Sequence, residues 1–267
     1  MTVRRWLKAS VATALAGAIG LTSTASAVEL SIEFENFAPS DGFVLTPLWV
    51  SAHDGTFDLF SLGDPASNGL ETIAETGSPA DLTAELPAGA EEASGIAAPG
   101  GAAPVVESGE VATGIFDVTD PDNNLFFSFA SMVIPSNDAF IGNGEPTAYR
   151  IFNPDGSFAG PLVIDIFGDE VYDAGTEVND GLGAPFSTLG GTSTDEDSTV
   201  EIHPGLGTFI GTDTAAGNTL GTLPTQGVLF AQIRVDLAPT AVPEPGVLGL
   251  FAAGIALLGW QTRRQRA

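Results

Sequence analysis

The sequence predicts an all-β fold with one short helix and long loops, and three observations carry that prediction. The chain between its two ends is rich in Gly, Pro, Thr and Phe and almost free of Lys, a composition that suits strands and turns better than a helical bundle. Near the start of this part Leu30, Ile32 and Phe34 alternate with Ser31, Glu33 and Glu35, and near its end Leu229, Ala231, Ile233 and Val235 fall on one face. That period of two marks a half-buried strand. Between them lies a long apolar run, Leu125 to Ile134, and no internal repeat of roughly 20 to 50 residues interrupts the pattern.

The elements follow in order. Arg4, Arg5 and Lys8 precede an apolar stretch, Ala9 to Leu21, and the small residues Ala25-Ser26-Ala27. These are the three parts of a secretory signal peptide, residues 1–27, which is set aside before the fold is considered. The first strand begins at Leu30. Phe43 to Val50 is a second apolar run, in which Pro47 marks an edge or a strand start. Asn68 with Glu71 three residues later reads as a capping box, Leu70, Ile73 and Ala74 share one helical face, and Gly77 stops the turn. From Ser78 to Gly114 the chain is Ala-, Gly-, Pro- and Glu-rich, a long loop with room for one short strand at Thr83–Leu86. A strand ends in Asp117–Asp122, and Phe126, Phe127 and Phe129 in the third run are core residues. Ala148–Phe152 and Phe158–Ile166 flank the turn Asn153-Pro154-Asp155-Gly156 and read as a hairpin. Gly181–Ser198 is a second loose stretch, and Val228–Leu237 is the last strand. About 210 residues, 28–240, make one domain.

After that domain comes Val242-Pro243-Glu244-Pro245-Gly246, then the apolar run Val247–Trp260, then Arg263-Arg264-Gln265-Arg266. The apolar run is short against the roughly 20 residues that span a bilayer, though Gln261 and Thr262 extend it. The arginines stay cytoplasmic by the positive-inside rule. The segment resembles the PEP-CTERM sorting signal of Gram-negative bacteria. The resemblance implies that residues 241–267 are a transient anchor with a transmembrane helix at 247–260, removed by an exosortase-type membrane protease. The protein would then reach the cell surface, outer envelope or extracellular matrix through an inner-membrane intermediate. The same residues also read as an ordinary C-terminal anchor that is never cut.

The net charge is −26. Of the Lys and Arg residues only Arg150 and Arg234 lie in 28–240, with every acidic residue except Glu244. Such a polyanion excludes nucleic acid as a partner and favours solubility, cation binding or a salty habitat. There is no Cys, so neither a disulfide framework nor a thiol nucleophile exists. The two histidines, His53 and His203, lack the spacing of a catalytic zinc site, and no serine elbow accompanies them. Both read as structural residues bonded to backbone.

Three acids invite a metal. Asp173 and Glu177 are four residues apart around Ala174-Gly175, and Asp138 follows the long apolar strand. Hard carboxylate oxygens from two loops suit Ca²⁺, which takes about 6–8 oxygens, better than Mg²⁺ with its strict octahedron. By spacing alone these three are either ion ligands or ordinary solvated acids. Asp117, Asp120, Asp122 and Asn124 resemble part of a second calcium loop but lack the sixth-position Gly and the terminal Glu of an EF-hand. Asp195-Glu196-Asp197 reads as a solvated loop.

Three separated segments resemble one family. Pro47-Leu48-Trp49-Val50-Ser51-Ala52-His53, with Ser67-Asn68-Gly69-Leu70 and Ala74-Glu75-Thr76-Gly77, is similar to the start of the spondin N-terminal domain. Pro135-Ser136-Asn137-Asp138-Ala139-Phe140-Ile141-Gly142 resembles its Ser-Pro-Asp-Trp-Phe-Val-Gly segment, and Tyr172-Asp173-Ala174-Gly175-Thr176-Glu177 its Tyr-Asp-Ala-Gly-Thr-Asp segment. The chain departs from that pattern at Ala139 and Glu177 and lacks thrombospondin repeats. The resemblance, over roughly Val28 to Leu237, implies a C2-like antiparallel β-sandwich that binds Ca²⁺ through Asp138, Asp173 and Glu177. It also implies a non-catalytic adhesion module for an extracellular matrix or exopolysaccharide component. The competing expectation is a secreted glycan hydrolase with paired carboxylates, which would show a deep cleft and one raised carboxyl pKa.

Export and sorting predict a mature mass that lacks Met1–Ala27 and everything beyond the Pro243–Gly246 region. Intact-mass spectrometry of protein recovered from cells or medium checks this, and a mass that retains Trp260 and Arg264 contradicts it.

Overall fold

Four strands form the first sheet, in the order β5 (Val111–Val118), β1 (Val28–Asn36), β11 (Leu229–Leu237) and β8 (Leu162–Phe167). All neighbours are antiparallel. The structure is a computed structural model that describes residues 27–97, 104–214 and 217–239; the signal peptide and the sorting segment, with the helix expected at 247–260, lie outside the described residues. No helix among the described residues is long and apolar enough to cross a membrane.

The second sheet runs β10 (Glu201–Ile202), β9 (Tyr172–Asp173), β7 (Ala139–Gly142), β6 (Phe126–Ile134), β3 (Leu48–His53) and β4 (Glu91–Ile96), with β2 (Val44–Leu45) paired to the end of β6. The two sheets face each other. Leu30, Ile32, Phe34, Ile233 and Val235 from the first pack in one core with Val50, Phe127, Phe129 and Ile141 from the second. The expected all-β antiparallel sandwich is therefore present.

The sheets differ in what covers them. In β1 buried and exposed residues alternate, whereas all of β3 and nearly all of β6 is buried. The outer face of the second sheet lies under α1 (Asn68–Thr76) and α2 (Ala80–Ala84). There Trp49, Ala130 and Phe140 pack against Leu70, Ile73 and Leu82, and the Trp49 indole N–H donates to Thr83 Oγ1 at 3.0 Å. A strand buried on both faces loses its alternation, which is why these segments read as unbroken apolar runs.

Several boundaries differ from expectation. The α1 N-cap is Ser67, whose Oγ accepts from the Leu70 N–H at 3.2 Å, not Asn68. The reciprocal acid is Glu85 rather than Glu71: its carboxylate takes the Gly69 N–H at 2.7 Å and the Ser67 hydroxyl at 2.6 Å. Tertiary proximity of α2 displaced the local capping box. Gly77 ends the helix in the left-handed conformation, as expected. Thr83–Leu86 is not a strand. Thr83 and Ala84 close α2, held by buried Leu82, and the strand in this stretch is β4. The hairpin at 148–166 shrinks to a tight turn with one bridge, Phe152–Phe158. Beyond Gly160 and Pro161 the chain leaves for the first sheet, where β8 pairs with β11 instead.

The topology creates two poles. Val28 pairs with Val118, Leu30 with Leu237 and Leu162 with Val235, so both ends of the described domain leave from one pole. The other, loop pole gathers the end of β1, the start of β11, β2 and the end of β6. Asn36 ties it together from a fully buried position. Its Nδ2 donates to the carbonyls of Phe43 (3.0 Å) and Val106 (2.9 Å), and its Oδ1 accepts from the Ala38 N–H (2.9 Å).

Asn36→Leu strands the buried Phe43 carbonyl and the Ala38 N–H, each costing about 1–3 kcal/mol if left unpaired, while the Val106 carbonyl keeps the Leu45 N–H. Partial rescue by water leaves an expected loss of roughly 2–4 kcal/mol. For a domain of this size that lowers the thermal midpoint by about 4–16 °C, which calorimetry measures.

Candidate acid site at the loop pole

The turn after β6 sets the site. Ser136 donates its hydroxyl to the Val133 carbonyl at 2.6 Å and accepts the Ala139 N–H at 3.0 Å, which drives Asn137 and Asp138 into the protein. Asp138 is fully buried. Its Oδ2 accepts from the N–H groups of Thr176 (2.8 Å) and Glu177 (3.0 Å) and from the Thr176 hydroxyl (3.3 Å). Its main-chain carbonyl accepts from the Ala174 N–H at 3.2 Å. One residue thus docks the whole Tyr172–Glu177 loop. Gly175 lets the loop close: its φ is +69°, and a Cβ there would meet the Thr199 carbonyl oxygen at 2.7 Å.

Pairing of Ala139 with Asp173 places Asp138 beside the Asp173 carboxylate. Asp173 Oδ1 accepts the Gly175 N–H at 2.7 Å, and Oδ2 accepts from Asn179 Nδ2. Behind them stands His203. Its Nδ1 accepts the Gly205 N–H at 3.0 Å, so in the neutral ring Nε2 carries the proton and donates to Asn179 Oδ1 at 3.0 Å. Burial holds His203 below the ordinary imidazole pKa, against the opposing pull of Asp173, whose Oδ2 lies 4.0 Å from Nε2.

Asp138 Oδ1 has no hydrogen-bond partner despite its burial. Desolvation first, and then the charge of Asp173, push the Asp138 carboxyl up to about 7, against the pull of the Thr176 and Glu177 N–H groups. A buried acceptor without a donor, next to a second carboxylate, is a place for a proton or a cation.

Glu177 is only partly gathered into this pair. It is buried, and its N–H is bound to Asp138, but its Oε2 lies 3.4 Å from Asn137 Nδ2. Asn137 also donates to the Leu182 carbonyl and accepts the Gly181 N–H. Glu75 of α1 is raised by burial first and by Glu177, Glu71 and Asp195. Among the described residues no group of three or more His, Cys, Asp or Glu side chains is close enough to hold a metal ion. The donor chemistry fits a hard cation at Asp138 and Asp173; Glu177, as placed, is a neighbouring charge rather than a third ligand of one cluster.

The other sequence candidates have different fates. In the turn at 117–124, Glu91 accepts the N–H groups of Thr119 and Asp120 at 2.8 Å, and the Asp120 carboxylate binds Asn123 Nδ2 at 3.0 Å. Those oxygens face the turn's own donors. Asp195 is exposed, yet its backbone bridges to Glu177. His53 accepts the Gly55 N–H on Nδ1 at 3.1 Å and faces Ser128 Oγ through Nε2 at 2.9 Å. With the proton on Nε2 the ring donates to Ser128 and cannot activate it as a base. The sequence reading missed Asn137, Asn179 and His203 as parts of the site. A signal did exist: both histidines occur as His-x-Gly, and both take the N–H of that glycine.

A family model described as Spondin_N matches residues 34–190, which include Asp138, Asp173 and Glu177, and one described as the PEP-CTERM protein-sorting motif matches residues 241–265. No curated protein matches the chain.

The raised acid predicts a pH dependence. Folded and ion-free, Asp138 keeps its proton up to about pH 7, while an ordinary carboxyl loses it near 3.8. Between these limits the folded state binds more protons, so stability falls as pH rises, by at most ~1.4 kcal/mol per pH unit from this group. In chelator, the thermal midpoint of the wild type should drop more between about pH 5 and about pH 8 than that of Asp138→Asn. Equal drops contradict the assignment.

Proposed function

The chain belongs to the Spondin_N family, and from that premise we propose that it is an adhesion or matrix-binding module whose loop pole is organised by a bound Ca²⁺. It carries the PEP-CTERM sorting motif and so is exported, through a membrane intermediate and exosortase-type processing, to the surface or surroundings of a Gram-negative cell. The observation that carries the cation reading is the unpartnered, fully buried Asp138 Oδ1 against the Asp173 carboxylate. Asp138 and Asp173 would hold the ion, with Glu177 as the adjacent third charge. Ca²⁺ would supply the positive charge that otherwise only a proton on Asp138 provides, and would lock Asn137–Asp138 to the Tyr172–Glu177 loop. A fixed set of loops on a rigid sandwich is a common way to present a binding surface. The ligand proposed is a matrix or exopolysaccharide component.

The glycan-hydrolase alternative draws on the same raised carboxyl. Burial of Asp138 puts its carboxyl out of reach of a polymer, and Asp173 lies against it rather than across a cleft. The proposal therefore contains no catalytic step.

Calcium at 100 times its dissociation constant stabilises by about 2.7 kcal/mol. Chelation should lower the thermal midpoint of the exported protein by roughly 5–10 °C. Asp173→Asn should lose most of that response and Asp195→Asn should keep it. An equal response in wild type and Asp173→Asn places the ion elsewhere; no response in wild type removes it.

A further inference from the structure

The first sheet ends on β5 and on β8, and the chain treats its two edges differently. β5 is covered by β4, which lies so close over Gly114 that a Cβ there would meet Ile96 Cγ1 at 2.8 Å. The Glu91 carboxylate of β4 also takes the Thr119 N–H just beyond β5 at 2.8 Å. No strand among the described residues pairs with the outer side of β8.

The direction of each backbone group in β8 follows from its neighbour β11. There the Phe230 carbonyl accepts the Phe37 N–H and the Ala238 N–H donates to the Glu29 carbonyl, both at 2.8 Å. The even-numbered residues of β11 thus serve β1, and Ala231, Ile233 and Val235 serve β8, where they meet Ile166, Ile164 and Leu162. The N–H and C=O groups of Val163, Asp165 and Phe167 therefore point away from the sheet. Phe167 is capped at once: Glu170 Oε2 takes its N–H at 2.7 Å, and the Glu170 N–H donates to its carbonyl at 2.9 Å. Val163 and Asp165 have no such cap among the described residues. Two donors and two acceptors at strand spacing are left open. Beside them runs one exposed row of side chains, Val163 (54% exposed), Asp165 and Phe167 (37%). Asp165 is held in place by Gln232, whose Nε2 donates to its Oδ1 at 2.5 Å. Next to Val163 a hollow of about 280 Å³, shared with Glu33, Arg234 and Asp236, leaves room for a further side chain.

We infer that the free edge of β8 docks an extended segment of a partner protein as a fifth strand of the first sheet. Its basic residue lies over Asp165, between apolar residues over Val163 and Phe167. The open groups select the class of occupant, because a glycan or a lipid headgroup lacks the alternating N–H and C=O groups that a strand edge pairs with. Charge selects within that class. A second copy of β8 brings an acid and no base, in a chain whose net charge is −26. A basic side chain complements Asp165, so backbone pairing supplies affinity and the side-chain row supplies the choice of partner. The inference rests on neither the cation nor the loop pole.

The probe is the peptide Thr-Val-Thr-Lys-Thr-Val-Thr, blocked at both ends and titrated into the isotope-labelled exported protein with calcium present. The amide signals of Val163 and Asp165 should shift on titration, and their hydrogen exchange should slow. Exchanging the peptide's Lys for Glu should weaken binding by about tenfold or more, and so should Asp165→Lys in the protein. Val163→Pro should abolish binding: it removes an N–H that points away from β11, so the sheet keeps its own ladder. Unchanged circular dichroism confirms that both variants fold. A peptide N-methylated at its pairing nitrogens should not bind, which makes the same test without altering the protein. No binding, shifts confined to other strands, equal affinity for the Lys and Glu peptides, or binding that survives Val163→Pro or N-methylation would each overturn the inference. So would self-association of the protein alone that Val163→Pro removes, since the edge would then serve a second copy.

Discussion

Burial of one carboxylate, that of Asp138, is the constraint on which the loop pole depends. A carboxylate removed from water needs donors, and the chain supplies three to Oδ2, all from the Thr176–Glu177 loop. That loop can reach because Gly175 closes against Thr199, and β9 and β10 then pair at the end of the second sheet. The same burial leaves Oδ1 bare and sets Asp138 against Asp173. What orders the pole therefore also leaves it one positive charge short.

The rest of the sandwich supplies a rigid base for this arrangement. The second sheet carries a core on each face, one shared with the first sheet and one under the two helices. β6 and β7, which deliver Asp138, are thereby held on both sides, while the first sheet shows water an open face with Glu33, Glu35 and Arg234. Precision is thus concentrated in the sheet that bears the site.

Much of this was legible in the sequence, and the failures have physical causes. The alternation at Leu30–Glu35 and Val228–Leu237 is a local consequence of one-sided burial, so β1 and β11 could be read directly. The apolar run at Leu125–Ile134 announced β6, but a run alone does not say that helices cover its far side. Ser67 rather than Asn68 caps α1 because Glu85, distant in sequence, reaches back to it. The acids at 138, 173 and 177 stood out through their segments. Asn179 and His203 did not, since their contact spans 24 residues and depends on how β9 and β10 meet. Nor does composition reveal that the Glu177 side chain turns to Asn137.

The opposed poles have a mechanical meaning. The domain's final strand, β11, lies between β1 and β8, and it runs from the loop pole at Leu229 to its exit at Leu237. A pull between something held at the loop pole and whatever follows Ala238 acts along that strand. Its hydrogen bonds to both neighbours are then loaded in shear, sharing the tension, instead of being unzipped one at a time from an end. Under the proposed binding role, a chain of this layout would resist detachment more strongly than its equilibrium stability alone would suggest.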